Sequence, residues 1–256
     1  MKKFLVCFSI IFLVTSSMAQ TIVTDRPNQT DASLTVPKKS LQIESGVRYT
    51  NTDLTNSDFV ERNILLPTSL FRVGLTQQIE LRLLSQVELN SIAQYGRKDP
   101  YIAGFSNLEV GTKIQLFRNE NSIHQVAIVS NLGVPTGSID INESEVYTVS
   151  KLCVSHQFSE DFNLGYNLGY SAIGGIENFI YSVACGFSIN EKLGLYCEPF
   201  GSFNLDRTFK RNYEVSFDAG LTYLLNDNTQ FDWSFGTGID GRKMNYIAAG
   251  CSWLIK

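Results

Sequence analysis

The sequence predicts an all-β protein, namely a closed antiparallel transmembrane β-barrel of about 12 strands joined as an up-and-down meander. Three observations lead to this prediction. Apolar side chains alternate with small or polar ones along most of the chain, the apolar positions carry almost no charge, and polar turns interrupt the alternation repeatedly. The 256 residues, 43% hydrophobic and 12% aromatic, are enough for one large β-domain.

The first 19 residues have the layout of a cleaved secretory signal. Lys2 and Lys3 precede an apolar stretch over residues 4–14, and small residues follow before Gln20. The stretch is too short to cross a bilayer as a helix, and no run of about 18 apolar residues occurs later in the sequence. We therefore divide the chain into a signal peptide (1–19), an N-terminal periplasmic or lumenal segment (20–39) and a barrel (40–256) in the bacterial outer membrane.

The stretch 162–172 illustrates which residues occupy the two faces. Its even-numbered residues are apolar or aromatic, whereas its odd-numbered residues are Asn, Gly or Ser. A soluble barrel buries its apolar face and covers the outer one with Lys and Glu. Here the polar face holds small residues and scattered charges of both signs, and aromatic residues gather near segment ends, as in interfacial girdles. This pattern favours an outer face in lipid and a wet interior.

Twelve segments carry the alternation, and each can cover the roughly 9–11 residues that a tilted transmembrane strand needs. They are 40–50, 62–74, 78–90, 105–117, 122–133, 145–157, 162–173, 177–189, 192–205, 211–225, 229–238 and 245–255. Short polar turns alternate with mostly longer links between them. This alternation predicts a closed meander whose two termini lie on the periplasmic side.

Several short motifs are spread along the mature chain. They include Thr-Asp-Arg-Pro at 24–27, Gly-Thr-Lys at 111–113, Pro-Thr-Gly at 135–137 and Gly-Cys-Ser-Trp at 250–253. In these motifs the chain resembles the bacterial outer-membrane barrel family named for the MetA pathway of phenol degradation. The resemblance implies a transport role for hydrophobic or aromatic compounds. One departure is that many outer-membrane barrels end in an aromatic residue, whereas here Trp253 lies three positions before the end.

The alternation predicts which charged side chains face the interior. The thirteen candidates are Glu44, Arg48, Arg72, Glu80, Arg82, Glu88, Glu109, Lys113, Lys151, Glu198, Glu214, Asp218 and Asp232. Eight acids and five bases predict a mixed, modestly cation-favouring lumen. Alternatively, many of these charges fill the lumen as ion pairs, such as Glu80 with Arg82 and Glu44 with Arg48.

Two further features bear on whether the lumen is open. Residues 20–39 are polar and lack alternation, so they either fold back into the periplasmic mouth or form a linker. In the first case Asp25 and Arg26, which precede Pro27, are candidates to gate the pore or hold it shut. Four apolar residues of the predicted inner face form either a lining for an apolar solute or a plug: Ile64, Leu66, Leu70 and Leu84.

We expect a monomeric, non-enzymatic channel for the passive passage of small molecules. Its expected partners are outer-membrane lipid, a small solute and, during insertion, periplasmic chaperones and the barrel-assembly machinery. A pI near 5.3 without a Lys/Arg cluster excludes nucleic acid as a partner, and no motif indicates a metal or an organic cofactor. The four cysteines after the signal lie in apolar runs without C-x-x-C spacing, which indicates small apolar residues better than disulfides.

Two alternative functions stay open at this point. One is a non-conducting structural or surface-binding barrel. The other is an outer-membrane lipid hydrolase, which would need a serine activated by one of the two histidines, His124 and His156. Ser155 precedes His156 directly, and neighbouring residues of a strand point to opposite faces, so these two side chains cannot form a nucleophile and its base.

Overall fold

The computed structural model describes residues 22–54, 58–94, 96–97, 99–119, 122–141, 145–206, 212–241 and 243–256. All elements formed by these residues are strands. They are β1 (Leu41–Asp53), β2 (Phe59–Gly74), β3 (Ile79–Gln94), β4 (Ile102–Phe105), β5 (Leu108–Arg118), β6 (His124–Val134), β7 (Tyr147–Gln157), β8 (Phe162–Ile173), β9 (Ile176–Ser188), β10 (Leu193–Asn204), β11 (Tyr213–Asn226), β12 (Thr229–Asp240) and β13 (Lys243–Ile255). In this part of the chain no helix has the length and apolarity needed to span a membrane.

Twelve of these strands form a closed ring. Consecutive strands pair antiparallel, and β1 pairs with β13 in a register that runs from Leu41 with Ile255 to Asp53 with Lys243. The short strand β4 pairs with β3 alone and supplements the ring. The predicted closed meander of 12 strands is therefore confirmed. Strand β4 lies mostly within the stretch 91–104 that we predicted to be a loop.

The links define two ends of the barrel. Residues 75–78, 158–161, 189–192 and 227–228, with 119 and 122–123, lie between strands at the end where β1 begins and β13 ends, which we call the terminal end. The opposite ends of these strands define the other end of the barrel, which we call the loop end. The longest intervals in sequence between ring strands fall there, namely 95–107, which includes β4, and 135–146. Local turn chemistry supports this layout, since the hydroxyl of Thr76 accepts hydrogen bonds from the backbone N–H groups of Gln78 and Ile79.

The two faces of the sheet differ in the way that the sequence predicts. The outer face exposes large apolar side chains such as Trp233 (47%), Phe235 (59%) and Ile247 (63%). The largest fully buried side chains are instead charged or polar and lie inside, with Arg72 and Lys113 at 0% exposure. This arrangement is the reverse of that in a soluble barrel and matches a wall that stands in lipid.

One part of the predicted inner face is wrong. The register between β2 and its neighbours shifts between Leu65 and Thr68, where Pro67 cannot donate a ladder hydrogen bond. The shift pairs Ile64 with Tyr49 of β1, on the outer face. Leu70 and Leu84, beyond the shift, pair across β2 and β3 on the face of Arg72, as the alternation predicts.

Candidate functional site

The chain before β1 lies inside the ring. It is tied to the terminal end at both its ends, since the N–H of Ile22 donates to the carbonyl of Asp227 (2.8 Å) and the N–H of Lys39 to that of Gly74 (2.8 Å). We call residues 22–39 the lumenal segment. Its interior positions are buried against the wall, with Thr30 at 5% exposure and Ser33 at 2%. The segment therefore runs across the lumen between these two points.

The carboxylate of Asp25 lies among three cations of the wall. Arg82 Nη1 donates to its Oδ2 (2.5 Å), Lys113 Nζ contacts Oδ1 (2.9 Å) and Oδ2 (3.0 Å), and Arg72 Nη1 lies 3.5 Å from Oδ2. We call Arg72, Arg82 and Lys113 the cation cradle. They stand on β2, β3 and β5, so the strand order brings together side chains that are far apart in sequence. A carboxylate held by three cations makes strong, charge-assisted hydrogen bonds.

Two wall carboxylates partly neutralise the cradle. Glu80 accepts from Arg72 Nε (2.9 Å) and Arg82 Nη1 (3.0 Å), and Glu44 accepts from Arg72 Nη1 (2.9 Å). Both also hold the lumenal segment by its backbone. Glu80 accepts from the N–H of Val36 (2.8 Å), and Glu44 accepts from the N–H groups of Asp25 (3.0 Å) and Arg26 (3.0 Å).

A second carboxylate of the segment, Asp31, binds the same side of the lumen. It receives Lys151 Nζ (2.7 Å) and Arg82 Nη2 (3.1 Å). Burial raises the pKa of both segment carboxyls, but the surrounding cations outweigh it. Arg72 and Lys113 bring the pKa of Asp25 well below its usual value, and Lys151 lowers that of Asp31. Both are therefore ionised across the neutral pH range.

The opposite side of the lumen is acidic. Arg26 crosses to it and binds Asp232 through Nε (3.2 Å) and Nη2 (3.0 Å). Its guanidinium lies over Gly46 and Gly250, which face each other across β1 and β13. A methyl group at either glycine would overlap this guanidinium. Glycine is thus required here so that a segment side chain can lie directly on the wall.

Two more acids stand beside Asp232 on this side. Glu198 pairs with Asp218 across β10 and β11, and both are fully buried. Glu198 accepts hydrogen bonds from the N–H of Gln29 (2.6 Å) and from the hydroxyl of Thr30, while Asp218 accepts from the Tyr246 hydroxyl. The lumenal segment therefore binds the acidic side through a cation and through hydrogen-bond donors.

The other predicted lumen residues lie outside this contact region. Arg48 stacks on the Tyr246 ring at 5.0 Å, and Glu109 accepts from the Tyr147 hydroxyl (2.7 Å). Glu88 accepts from two polar neighbours on β2 and in the link before β5, and Glu214 is exposed at the loop end of β11. Of the two ion pairs considered from the alternation, Glu80 with Arg82 is present, whereas Glu44 pairs with Arg72 and not with Arg48. Pro27 follows Arg26 within the segment and is buried.

Some members of the site carry no clear signal in the sequence. Asp31 and Thr30 belong to a stretch without periodicity, and Gly46 and Gly250 look like ordinary small residues of the polar face. Gln42, at 0% exposure, donates from Nε2 to Glu44 (2.7 Å) and to the carbonyl of Val23 (2.8 Å). Its position on the alternating inner face of β1, two residues before Glu44, could have identified it.

The histidines and cysteines lie away from this region or take no ionic part in it. His124 and His156 pair across β6 and β7 near the terminal end, with their Nδ1 atoms 2.6 Å apart, and His156 packs among the rings of Phe158 and Tyr166. The four described cysteines are free thiols. Among the described residues, no group of three or more His, Cys, Asp and Glu side chains is arranged to hold a metal.

Comparison with known proteins identifies the family. Residues 24–254 match the family model described as "Putative MetA-pathway of phenol degradation". The chain belongs to this family. The match begins at Thr24 and so includes residues 24–39 of the lumenal segment as well as the barrel. No curated protein matches the chain significantly.

Several solved structures share the fold. An outer membrane channel from Pseudomonas putida F1 superposes with a TM-score of 0.70 at 9% identity, covering 90% of this chain and all of that one. The KdgM porin in complex with oligogalacturonate gives 0.53 at 11% identity, covering 83% and 98% of the two chains. The Pseudomonas putida toluene transporter TodX gives 0.50 at 9% identity, covering 88% and 96%. At these identities the likeness concerns the fold.

Proposed function

We propose that this family member is an outer-membrane channel for the passive passage of small molecules, and that the lumenal segment is its gate. The observation that carries the proposal is the contact between Asp25 and the cation cradle. It closes the terminal end with hydrogen bonds and ion pairs, which can break and re-form. A purely structural barrel could fill its lumen with bulky wall side chains, whereas here a separate segment does so.

The charges explain why the segment stays in place. The wall cations Arg72, Arg82, Lys113 and Lys151 exceed the wall carboxylates Glu44 and Glu80 by two, and Asp25 and Asp31 supply two negative charges. Removing a single partner from such a buried group is costly, on the order of 3–5 kcal/mol. Water entering the vacated lumen would reduce this cost, so opening needs a hydrated passage.

The solute class rests on the relatives and on two wall residues. The family carries the name of a phenol-degradation pathway, and TodX is described as a toluene transporter. In this chain Leu70 and Leu84 add an apolar patch beside the charged wall. We therefore propose small, partly hydrophobic or aromatic compounds as solutes. Weak binding to a mixed lining suits a passive route, since a solute must also leave it.

Single-channel conductance in a planar bilayer tests the gate. The mature protein is compared with a variant lacking residues 22–35, both checked for folding by heat-dependent electrophoretic mobility. We expect rare, discrete current steps from the intact protein and long-lived steps from the deletion variant, with reversal potentials measured under a salt gradient. A folded deletion variant that stays silent would favour the alternative of a non-conducting structural barrel.

We propose a non-enzymatic role because the described residues do not bring a serine and a histidine together as a hydrolase needs. Ser155 bonds to the hydroxyl of Ser33 in the lumenal segment, on the face opposite to His156. The hydrogen-bond partner of His156 is His124, and not a serine hydroxyl that it could activate. Replacing both histidines with phenylalanine should leave lipid hydrolysis at background and conductance unchanged. Hydrolysis that disappears with the histidines would support the enzyme instead.

Export and assembly complete the proposal. Residues 1–19, which lie outside the described residues, are removed as a signal peptide, and the mature chain inserts as a monomer with the help of periplasmic chaperones and the barrel-assembly machinery. Its apolar outer face then contacts outer-membrane lipid. N-terminal sequencing of protein purified from outer membranes should begin at Gln20, and cross-linking there should give one chain per particle.

A further inference from the structure

We propose that the cation cradle is a binding site for the carboxylate of a small organic acid, and that Asp25 occupies it as a ligand supplied by the chain itself. This inference rests on the proposed function and names the solute class of the same site. It adds an anionic group to the hydrophobic or aromatic solutes discussed above.

The cradle contacts Asp25 through its carboxylate group, which is a group that small organic acids also carry. Both oxygens of Asp25 are engaged, Oδ1 by Lys113 and Oδ2 by Lys113 and Arg82, with Arg72 at 3.5 Å. All three cations belong to the barrel wall and are buried, at 0–6% exposure. One further donor, the N–H of Ala32 to Oδ1 (2.8 Å), belongs to the segment and leaves with it. The wall therefore retains the three groups that recognise a carboxylate when the segment moves out.

The wall also positions these cations independently of Asp25. Glu80 accepts hydrogen bonds from Arg72 and Arg82, and Glu44 accepts one from Arg72. Two of the three cradle side chains are therefore oriented by carboxylates of the wall. A site whose donors are held in place before binding loses little conformational entropy when a ligand arrives. The surplus of positive charge on this wall makes an anion the favoured occupant.

Gly46 and Gly250, on β1 and β13 beside the cradle strand β2, leave room for the rest of such a ligand. Arg26 follows Asp25 directly, and its guanidinium lies against Gly46 and Gly250, a pair that we call the glycine floor. When the segment leaves, the guanidinium vacates a surface without side chains. A planar ring fits on such a floor as well as a guanidinium does, so we take benzoate as the probe.

Competition with a tethered carboxylate sets the concentration scale. A group linked by a short chain competes at an effective concentration of about millimolar. Benzoate should accordingly act on the intact protein at millimolar levels and bind about tenfold more tightly when Asp25 is replaced by asparagine. Benzamide has the same shape without the charge and should show neither effect.

The decisive experiment measures binding and conductance separately. Calorimetry in detergent micelles follows benzoate and benzamide binding to the mature protein and to Asp25→Asn, and bilayer recordings follow the open probability at constant ionic strength. We expect benzoate to bind Asp25→Asn more tightly than the intact protein, and to increase opening of the intact protein. Heat-dependent electrophoretic mobility checks that each variant is folded.

Matched charge variants locate the site. In the Asp25→Asn background, Lys113→Gln removes a cradle cation, whereas Lys192→Gln removes an exposed one from the turn between β9 and β10. We expect benzoate binding to fall about tenfold or more in the first variant and to persist in the second. Binding that survives Lys113→Gln, or equals that of benzamide, would overturn the proposal.

The two hypotheses fail in different ways. If benzoate binds in micelles as expected but no variant conducts, the carboxylate site stands and the channel function fails. If the barrel conducts but neither opening nor binding distinguishes benzoate from benzamide, the channel function stands and the carboxylate site is overturned.

Discussion

The two sides of the lumen are built from the same alternating strands but neutralise their charges differently. The cationic side lies on β2, β3, β5 and β7, and its cations also bind carboxylates of the wall. Arg72, for example, contacts Glu44 and Glu80 in addition to Asp25. The acidic side, on β10 to β12, has Arg26 on Asp232 and mainly hydrogen-bond donors on Glu198 and Asp218. The cationic side is therefore a network of ion pairs, whereas each carboxylate of the acidic side is neutralised or solvated by only a few separate contacts.

This difference explains how a short segment can close a wide ring. Asp25 and Arg26 are adjacent in sequence and carry opposite charges, and each binds the side of opposite charge. A segment with two like charges at these positions would leave one side uncompensated. We therefore expect changes to wall residues of the cationic side to act on stability as well as gating, and changes on the acidic side to act mainly on gating.

Arg72→Met should have the largest effect. The change removes the common partner of Glu44, Glu80 and Asp25, leaving buried carboxylates with fewer cations. We expect the free energy of unfolding to fall by about 3–5 kcal/mol. Urea titration of the refolded protein in micelles measures it, with Arg62→Met on the same strand as a control. An unchanged urea midpoint would show that these buried ion pairs do not stabilise the folded barrel.

Asp25→Asn should act on the gate more than on the barrel. It removes the negative charge from the cradle while the wall carboxylates keep orienting Arg72 and Arg82. We expect the open probability in a planar bilayer to rise at least about tenfold, since each charged hydrogen bond contributes roughly 1.5–3 kcal/mol. The unfolding midpoint should move less than in Arg72→Met. The opposite ranking would show that Asp25 stabilises the barrel more than it holds the lumenal segment in place.

Gly250→Ala should reproduce Arg26→Gln on the acidic side. An added methyl group would meet the Arg26 guanidinium, whereas at Gly46 it would also meet the backbone carbonyl of Ala249. Each single change should raise the open probability by a factor of about three to ten, as expected for loss of one partly buried charged contact. Because both act on the same contact, the double variant should add little. Strict additivity in the bilayer recordings would rule out this shared cause.

Protonation of Asp25 should have the smallest effect on the open probability near neutral pH. The pKa of Asp25 is lowered in the folded protein, so its contribution to docking is complete above the usual value of 3.8 and is lost as the pH falls through the lower folded value. We expect no change in open probability that depends on Asp25 from pH 8 to pH 5, and an increase only below about pH 4. Recordings across this range, with Asp25→Asn as a reference that lacks the acid transition, test the sign.

Much of the architecture could be predicted from the sequence. The alternation in stretches such as 162–172 identifies strands and their faces, because side chains of a strand point alternately to the two sides. It failed at Ile64, where a shift around Pro67 reverses the faces. Period-two reasoning has no means of detecting an extra residue in a ladder, since the composition on either side of it is unchanged.

The site was accessible to sequence reasoning only in part. The alternation predicted that Arg72, Arg82 and Lys113 face the interior, but not that they lie together. A gate formed by Asp25 and Arg26 was one of two interpretations of the segment, and a linker was the other. Which residues meet depends on strand order and stagger, which bring β2, β3 and β5 around one carboxylate.

The sequence alone determined the strand number, the apolar outer face and the polar inner face, because these follow from local periodicity and turn residues. Only the tertiary structure decided that residues 22–39 enter the ring, that opposite charges separate onto two walls, and that Gly46 and Gly250 make a floor for Arg26. These features arise from contacts between residues distant in sequence, whose energies depend on closure of the barrel around a buried, low-dielectric lumen.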